Sequence, residues 1–152
     1  MDDFDRKLLD AVQVDCSLSH AELGRRVSLS ASAVRRRLAA LKSQGIIAAE
    51  VAVLGQGAET GITVVVAVIF HQETVEGYAA FRTRMLQDER VLQCYSVAGQ
   101  SDFMLVVAAA SPPDYEAWGE RVLMADPVVR RYDSFVVWST TKFITRRPLF
   151  GT

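Results

Sequence analysis

The stretch SLSASAVRRRLAALKSQG, residues 28–45, decides how the first third of the chain folds. Ser30 is a helix-capping residue type, and Val34, Leu38 and Leu41 recur at helical spacing, so a third helix with one apolar face is predicted after Ser30. Ser32, Arg36, Ala39 and Ser43 then project from the opposite side, with Arg35 and Arg37 on the flanks. Gly45 stands where a left-handed residue ends the helix, and Ile46–Ile47 are expected to resume as an extended segment. The outward stripe is narrow, small and basic. That suits a helix entering a major groove about 12 Å wide, where arginine makes bidentate contacts to guanine or grips phosphate. The candidate DNA contacts are Ser30, Ser32, Arg35, Arg36, Arg37 and Lys42. Three consecutive arginines alone would equally suit a solvated helix face; the flanking elements favour DNA.

Upstream, Ser19 and Glu22 have the capping-box spacing and open a second short helix through Val27. Asp5 is expected to cap a first helix running to about Asp15, with Leu8, Leu9 and Val12 on one face and Phe4 stapled onto Leu9. Three short helices with a tight second turn have the layout of a helix-turn-helix. Charge agrees: Leu23–Ala49 holds Arg25, Arg26, Arg35, Arg36, Arg37 and Lys42 and no acid, within a chain of net charge −1. A near-neutral protein with one basic patch meets a polyanion at one place.

Downstream, a shift of 37 positions lays Tyr78, Ala80, Phe81, Arg84, Met85 and Leu86 onto Tyr115, Ala117, Trp118, Arg121, Val122 and Leu123. The β-rich runs Val64–Phe70 and Leu92–Ala98 fall on Ser101–Val107 and Val129–Phe135. Each half reads strand–helix–strand, giving a βαββαβ, ferredoxin-like domain. The first helix is expected over Thr74–Gln87 and the second after Pro112–Pro113, stopped by Ala125–Asp126–Pro127. Gly99–Gln100–Ser101–Asp102 reads as a turn between the middle strands. The predicted class is α+β: a helix-turn-helix domain over 1–49, a linker over 50–61 with a strand near Val51–Leu54, and an assembly and sensing domain over 62–152. Two helices cover one sheet face, and the other, with Val64, Val66 and Val68 assigned to it, needs a partner. The last strand region is expected to continue from Phe135–Trp138 into Lys142–Ile144. A homodimer follows, since paired DNA half-sites demand two-fold symmetry.

No signal-like or membrane-spanning run is present, and Cys16, Cys94, His20 and His71 lack metal-ligand spacing, so a cytoplasmic protein with free thiols and no metal is expected. Paired carboxylates, a Cys–His pair and a phosphate-binding glycine loop are missing, which disfavours an enzyme. Asp102 is the one acid between Arg90 and Pro113, a candidate partner for a ligand ammonium group. Gly99 would allow close approach of ligand to backbone, and Gln100 and Ser101 could add hydrogen bonds.

In order and spacing these pieces resemble the Lrp/AsnC (feast/famine) family of regulators, over nearly the whole chain. The resemblance is carried by Asp5-Arg6-Lys7-Leu8-Leu9, Leu23, Leu29-Ser30, Arg36-Arg37-Leu38 through Leu41, and Gly45-Ile46-Ile47. It continues in Val97-x-Gly99-x-x-Asp102-Phe103-x-Leu105 and in Val136-Val137 with Lys142. It implies a winged-type helix-turn-helix, dimers that assemble further, often to octamers, and an amino acid or similar metabolite as effector. It places the effector between dimers, beside Gly99, Gln100, Ser101 and Asp102, with Phe135, Val136 and Val137 nearby. Three positions depart from the family pattern. Ser28 stands where Gly is usual, Ala31 where Pro is frequent, and Gln100 where an acid is usual, which deprives an ammonium group of one carboxylate. A DNA-compacting protein without an effector is the alternative.

Overall fold

The computed structural model describes residues 1–55 and 58–150, which divide into two compact units. The first comprises Met1–Leu54 together with the chain from Lys142 onward; the second is Gly55–Thr141.

In the first unit, α1 spans Asp3–Val14, α2 His20–Val27 and α3 Ala31–Ser43. The helix α1 starts earlier than expected. Asp2, not Asp5, is its cap: Asp2 Oδ1 accepts from the Asp5 N–H at 2.9 Å, and Asp5 Oδ2 accepts from the Asp2 N–H at 3.0 Å. Asp5 is thus the reciprocal member of the box, and Phe4 sits inside the helix rather than ahead of it as a staple. Around α2 the expected Ser19–Glu22 box forms, and Ser30 Oγ accepts from the Ala33 N–H at 3.2 Å to start α3. Leu8, Leu9, Leu23, Val27, Val34, Leu38 and Leu41 make the core.

The turn between α2 and α3 rests on two residues. Ser28 is left-handed (φ 59°, ψ 45°), which lets the Leu29 N–H reach the Gly24 carbonyl at 2.9 Å. A Cβ on Gly24 would lie 2.4 Å from the Leu29 carbonyl oxygen, so only glycine allows that approach. Gly45 takes the expected left-handed conformation at φ 70°. Beyond it the expected strands do not form: Ile46–Ile47 are a bend, and Val51–Leu54 are unpaired and exposed.

The tail belongs here too, contrary to its expected place in the second domain's sheet. The Arg147 N–H donates to Gln13 Oε1 at 2.7 Å, and Leu149 packs against the helical core. Lys142–Ile144 form no strand.

The second unit contains β1 (Ile62–Phe70), α4 (Val75–Gln87), β2 (Val91–Ser96), β3 (Phe103–Ala109), α5 (Pro112–Gly119) and β4 (Val129–Val136). All pairings are antiparallel in the order β2-β3-β1-β4, the arrangement read from the repeat. Val64, Val66 and Val68 are fully buried with Phe81, Phe103, Leu105 and Trp118, so they face the helices. They line the covered face and not, as expected from the sequence, the uncovered one. Because strand side chains alternate, the open face carries Val65, Ala67 and Ile69 with the paired Met104, Val106, Tyr95 and Phe135, and also the polar Gln93, Arg131 and Asp133.

The two helices depart from their repeat in one respect. On α4, Phe81 and Met85 are buried, four residues apart. After α5 the chain widens into a π-helical turn over Glu120–Met124, closed by the Ala125 N–H on the Glu120 carbonyl at 3.0 Å. The extra residue moves the buried position after Trp118 from Val122 to Leu123.

Ser28→Gly is expected to raise the stability of the first unit by roughly 1 kcal/mol, the cost of a left-handed L-residue. Gly24→Ala should lower it by more. Thermal unfolding of both variants checks the pair.

Candidate DNA interface and effector loop

The three arginines of α3 have different surroundings although they are consecutive. Arg35 and Arg36 are exposed, as are Ser32 and Ala39, and together they form a basic outward surface. Ser30 lies at the start of this surface, its hydroxyl shared between the helix cap and Ser32 Oγ at 3.1 Å. Arg37 is turned toward α1, where its Nη1 donates to Asp2 Oδ2 at 2.7 Å and Asp5 Oδ1 at 2.8 Å, over the Phe4 ring. Lys42 pairs with Glu50 at 2.9 Å, both half-exposed, an arrangement worth little in water. Of the six residues named from the sequence, Ser30, Ser32, Arg35 and Arg36 are exposed along one surface, and Arg37 and Lys42 are ion-paired inside the unit.

In the second unit the loop Gly99–Asp102 is pinned to the end of β1. The Asp102 N–H donates to the Val68 carbonyl at 2.9 Å, and the Val97 N–H donates to the Asp102 carbonyl at 3.1 Å. The Asp102 carboxylate is itself engaged: Oδ2 accepts from the Phe70 N–H at 2.7 Å, and Oδ1 accepts from the Tyr78 hydroxyl. That hydrogen bond, then burial, pushes the Tyr78 phenol up to about 12. A carboxylate has about four lone-pair directions, of which these two contacts take two.

Beside the loop lies an open cleft of about 490 Å³ lined by Ile69–Glu73, Gly99–Asp102 and Arg130. Glu73 and Arg130 supply charges of both signs that the sequence reading did not include. Nothing in their spacing from the loop announces them, because strand pairing alone brings them there. Phe135, Val136 and Val137 are elsewhere. Val136 is opposite Val64, and the Val137 N–H donates to the Thr63 carbonyl at 2.9 Å, at the other end of β1. Within one protomer the two parts of the expected effector site are thus about 20 Å apart, some six residues of strand.

Among the described residues, no group of three or more His, Cys, Asp or Glu could hold a metal ion, and no helix is long and apolar enough to cross a membrane. Cys16 and Cys94 are free thiols.

A capped helix-turn-helix with a basic third helix, joined to a ferredoxin-like sheet, defines a DNA-binding regulator with a sensing domain. The AsnC-type helix-turn-helix domain matches residues 1–42 and the Lrp/AsnC ligand binding domain residues 63–146. The chain belongs to the Lrp/AsnC family of transcriptional regulators. An uncharacterised HTH-type transcriptional regulator of Haemophilus influenzae is 34% identical, covering 93% of this chain and 85% of its own length. The transcriptional activator DecR of Escherichia coli K12 is 29% identical over 98% and 99%. Among solved structures, an AsnC family regulator of Agrobacterium tumefaciens superposes with TM-score 0.86 at 28% identity, covering 97% of each chain. A Neisseria meningitidis regulator in complex with L-Met gives TM-score 0.86 at 25% identity, covering 97% of this chain and 96% of its own.

Asp102→Ala leaves the Phe70 N–H and the Tyr78 hydroxyl without their acceptor and should cost roughly 1–3 kcal/mol of stability. Tyr78→Phe removes one donor and should cost less. Since Tyr78 titrates higher folded than unfolded, its contribution is whole below pH 10 and is lost as pH rises toward about 12. Thermal melts between pH 8 and 12 read both effects, and the alkaline loss should shrink in Tyr78→Phe.

Proposed function

We infer that the protein binds duplex DNA in the cytoplasm through α3, with Arg36 reading base edges and Ser30, Ser32 and Arg35 holding phosphate. The observation that carries this is the exposure of Arg35 and Arg36 on a capped helix with no acid of its own. Lys42, weakly paired at the far end of α3, is close enough in energy to exchange Glu50 for phosphate.

The second unit takes an amino acid or a similar metabolite beside Gly99, Gln100, Ser101 and Asp102. The Neisseria relative, whose structure holds L-Met, supports that class of ligand. A glutamate uptake regulatory protein of Zymomonas mobilis, 33% identical over 76% of this chain and 71% of its own, ties a relative to amino-acid metabolism by its regulatory target. In this reading Phe135, Val136 and Val137 reach the ligand from a second protomer. The open sheet face supports a homodimer assembling further, up to an octamer, because it exposes Tyr95 and Phe135 beside the half-buried Val65, Met104 and Val106, and apolar side chains clustered on one face mark an interface. No catalytic group is assigned, and no cofactor is needed beyond the effector.

Arg36→Ala is expected to weaken binding to a selected DNA site by about 1–3 kcal/mol while the protein stays folded. Footprints with and without single amino acids separate the sensor from a DNA-compacting protein: the latter protects DNA broadly and ignores every amino acid. Calorimetry with the same amino acids, on the wild type and on Gln100→Ala, locates the ligand without disturbing the Asp102 network.

Assembly is tested on the full chain. Val106→Lys places a charge on the open face at a half-exposed position and should shift the protein to monomer in sedimentation. An unchanged oligomer would mean that another surface holds the copies together.

A further inference from the structure

We propose that Arg37 is a positioning residue: held by Asp2 and Asp5, it fixes how α3 is presented to DNA and does not itself touch the phosphates. At 100° per residue Arg37 lies nearer the buried stripe of Val34, Leu38 and Leu41 than Arg36 does, on the side facing α1. Its Nη1 feeds two carboxylates at 2.7 and 2.8 Å, and its guanidinium lies 5.5 Å from the centre of the Phe4 ring. Its Nε is buried with no hydrogen-bond partner among the described residues. Swinging out to a phosphate would break two charge-assisted bonds and strip the cover from Phe4.

The two acids divide their oxygens. Asp2 gives Oδ1 to the Asp5 N–H and Oδ2 to Arg37; Asp5 gives Oδ2 to the Asp2 N–H and Oδ1 to Arg37. The capping box that starts α1 and the anchor of α3 are therefore one network. The Asp5 N–H first, and Arg37 next, hold the Asp2 carboxyl below the usual carboxylate range, and the two acids push the Arg37 guanidinium up. Two carboxylates against one guanidinium leave the cluster no spare positive charge to offer a phosphate. The DNA-facing charge of the triplet is then Arg35 and Arg36. A bidentate contact from Arg36 needs its backbone held in place, and the neighbouring residue is where the anchor lies.

The test uses full-length protein and two probes of equal length: a duplex enriched from a random pool by the wild type, and a mixed-sequence duplex. Affinity for both is measured across salt concentrations, below each variant's unfolding temperature. For Arg37→Gln, the preference for the enriched duplex should fall about tenfold, the scale of one lost base contact. The salt slope on the mixed duplex should stay the same. Asp5→Asn keeps every arginine and one of the two accepting oxygens, so it weakens the network without removing it, and its preference should fall too. Arg37→Lys should recover part of the loss. A salt slope reduced by about 0.9, the share of one phosphate, with Asp5→Asn harmless, would overturn the proposal. An unchanged preference in folded variants that merely melt earlier would overturn it as well, since the network would then serve stability alone. The proposal rests on the DNA-binding reading above, whose own failure would show differently, as wild-type protein that enriches no sequence.

Discussion

The alternation of side chains along β1 is the constraint on which the second unit depends. Val64, Val66 and Val68 are fully buried beneath the two helices, and β1 pairs with β3 on one side and β4 on the other. A slip of one residue would turn these valines outward and bring Val65, Ala67 and Ile69 in; both sets are apolar, so it is the fit of the valines against Phe81, Phe103, Leu105 and Trp118 that fixes the register of the sheet. At roughly 1.5–3 kcal/mol for each fully buried side chain, three valines outweigh any single polar contact nearby. The position of the Gly99–Asp102 loop follows, because Asp102 is tied to Val68 and Phe70 at the end of this strand. The open face follows as well: once one set of alternate residues is buried, the other set must face solvent or a partner.

The first unit is fixed by different means. Its core is small, seven buried apolar side chains among the described residues, and its helices are short, so capping and turn geometry carry a larger share. Each of the three helices has a side-chain cap accepting a backbone N–H. The sharp turn before α3 accepts a left-handed serine because the glycine at position 24 leaves room for the returning Leu29 carbonyl. Charge is then distributed by geometry rather than by composition. Three adjacent arginines are chemically identical, yet the helical period sends two into solvent and one to a pair of acids.

Periodicity made the helices, the strands and their order legible in the sequence, because burial imposes 3.6 and 2 residue repeats that survive in residue choice. What sequence could not show was where a side chain finds a distant partner. Asp102 reads as a free acid in a turn, but Tyr78, 24 positions away, reaches its carboxylate only after the sheet forms. Arg37 reads as one of three equivalent cations until Asp2 and Asp5 are placed beside it. Asp5 also fits a cap position, and only the backbone shows that Asp2 takes that place and Asp5 the reciprocal one. The π-helical turn hid similarly: the repeat aligns Met85 with Val122, but one inserted residue passes the buried position to Leu123. Alternation places the valines of β1 on one face without naming which face is covered, and in the structure it is theirs that the helices cover.

The separation of Asp102 from Val136 and Val137 has a consequence for signalling. The two groups lie at opposite ends of β1, about 20 Å apart by strand rise, whereas an amino acid is only a few bonds long. A ligand of that size touching both groups must take them from two protomers. Its binding free energy would then include the free energy of bringing those protomers together, and linkage makes the relation reciprocal: whatever favours assembly tightens the ligand, and the ligand favours assembly. In such an assembly DNA would enter the same cycle, because the spacing of paired recognition helices would belong to the assembly and not to one chain. An effector of this kind needs no path of shifting contacts from sensor to α3. It needs only a different affinity for two assembly states that present α3 differently, and the size of that difference sets the largest response it can produce.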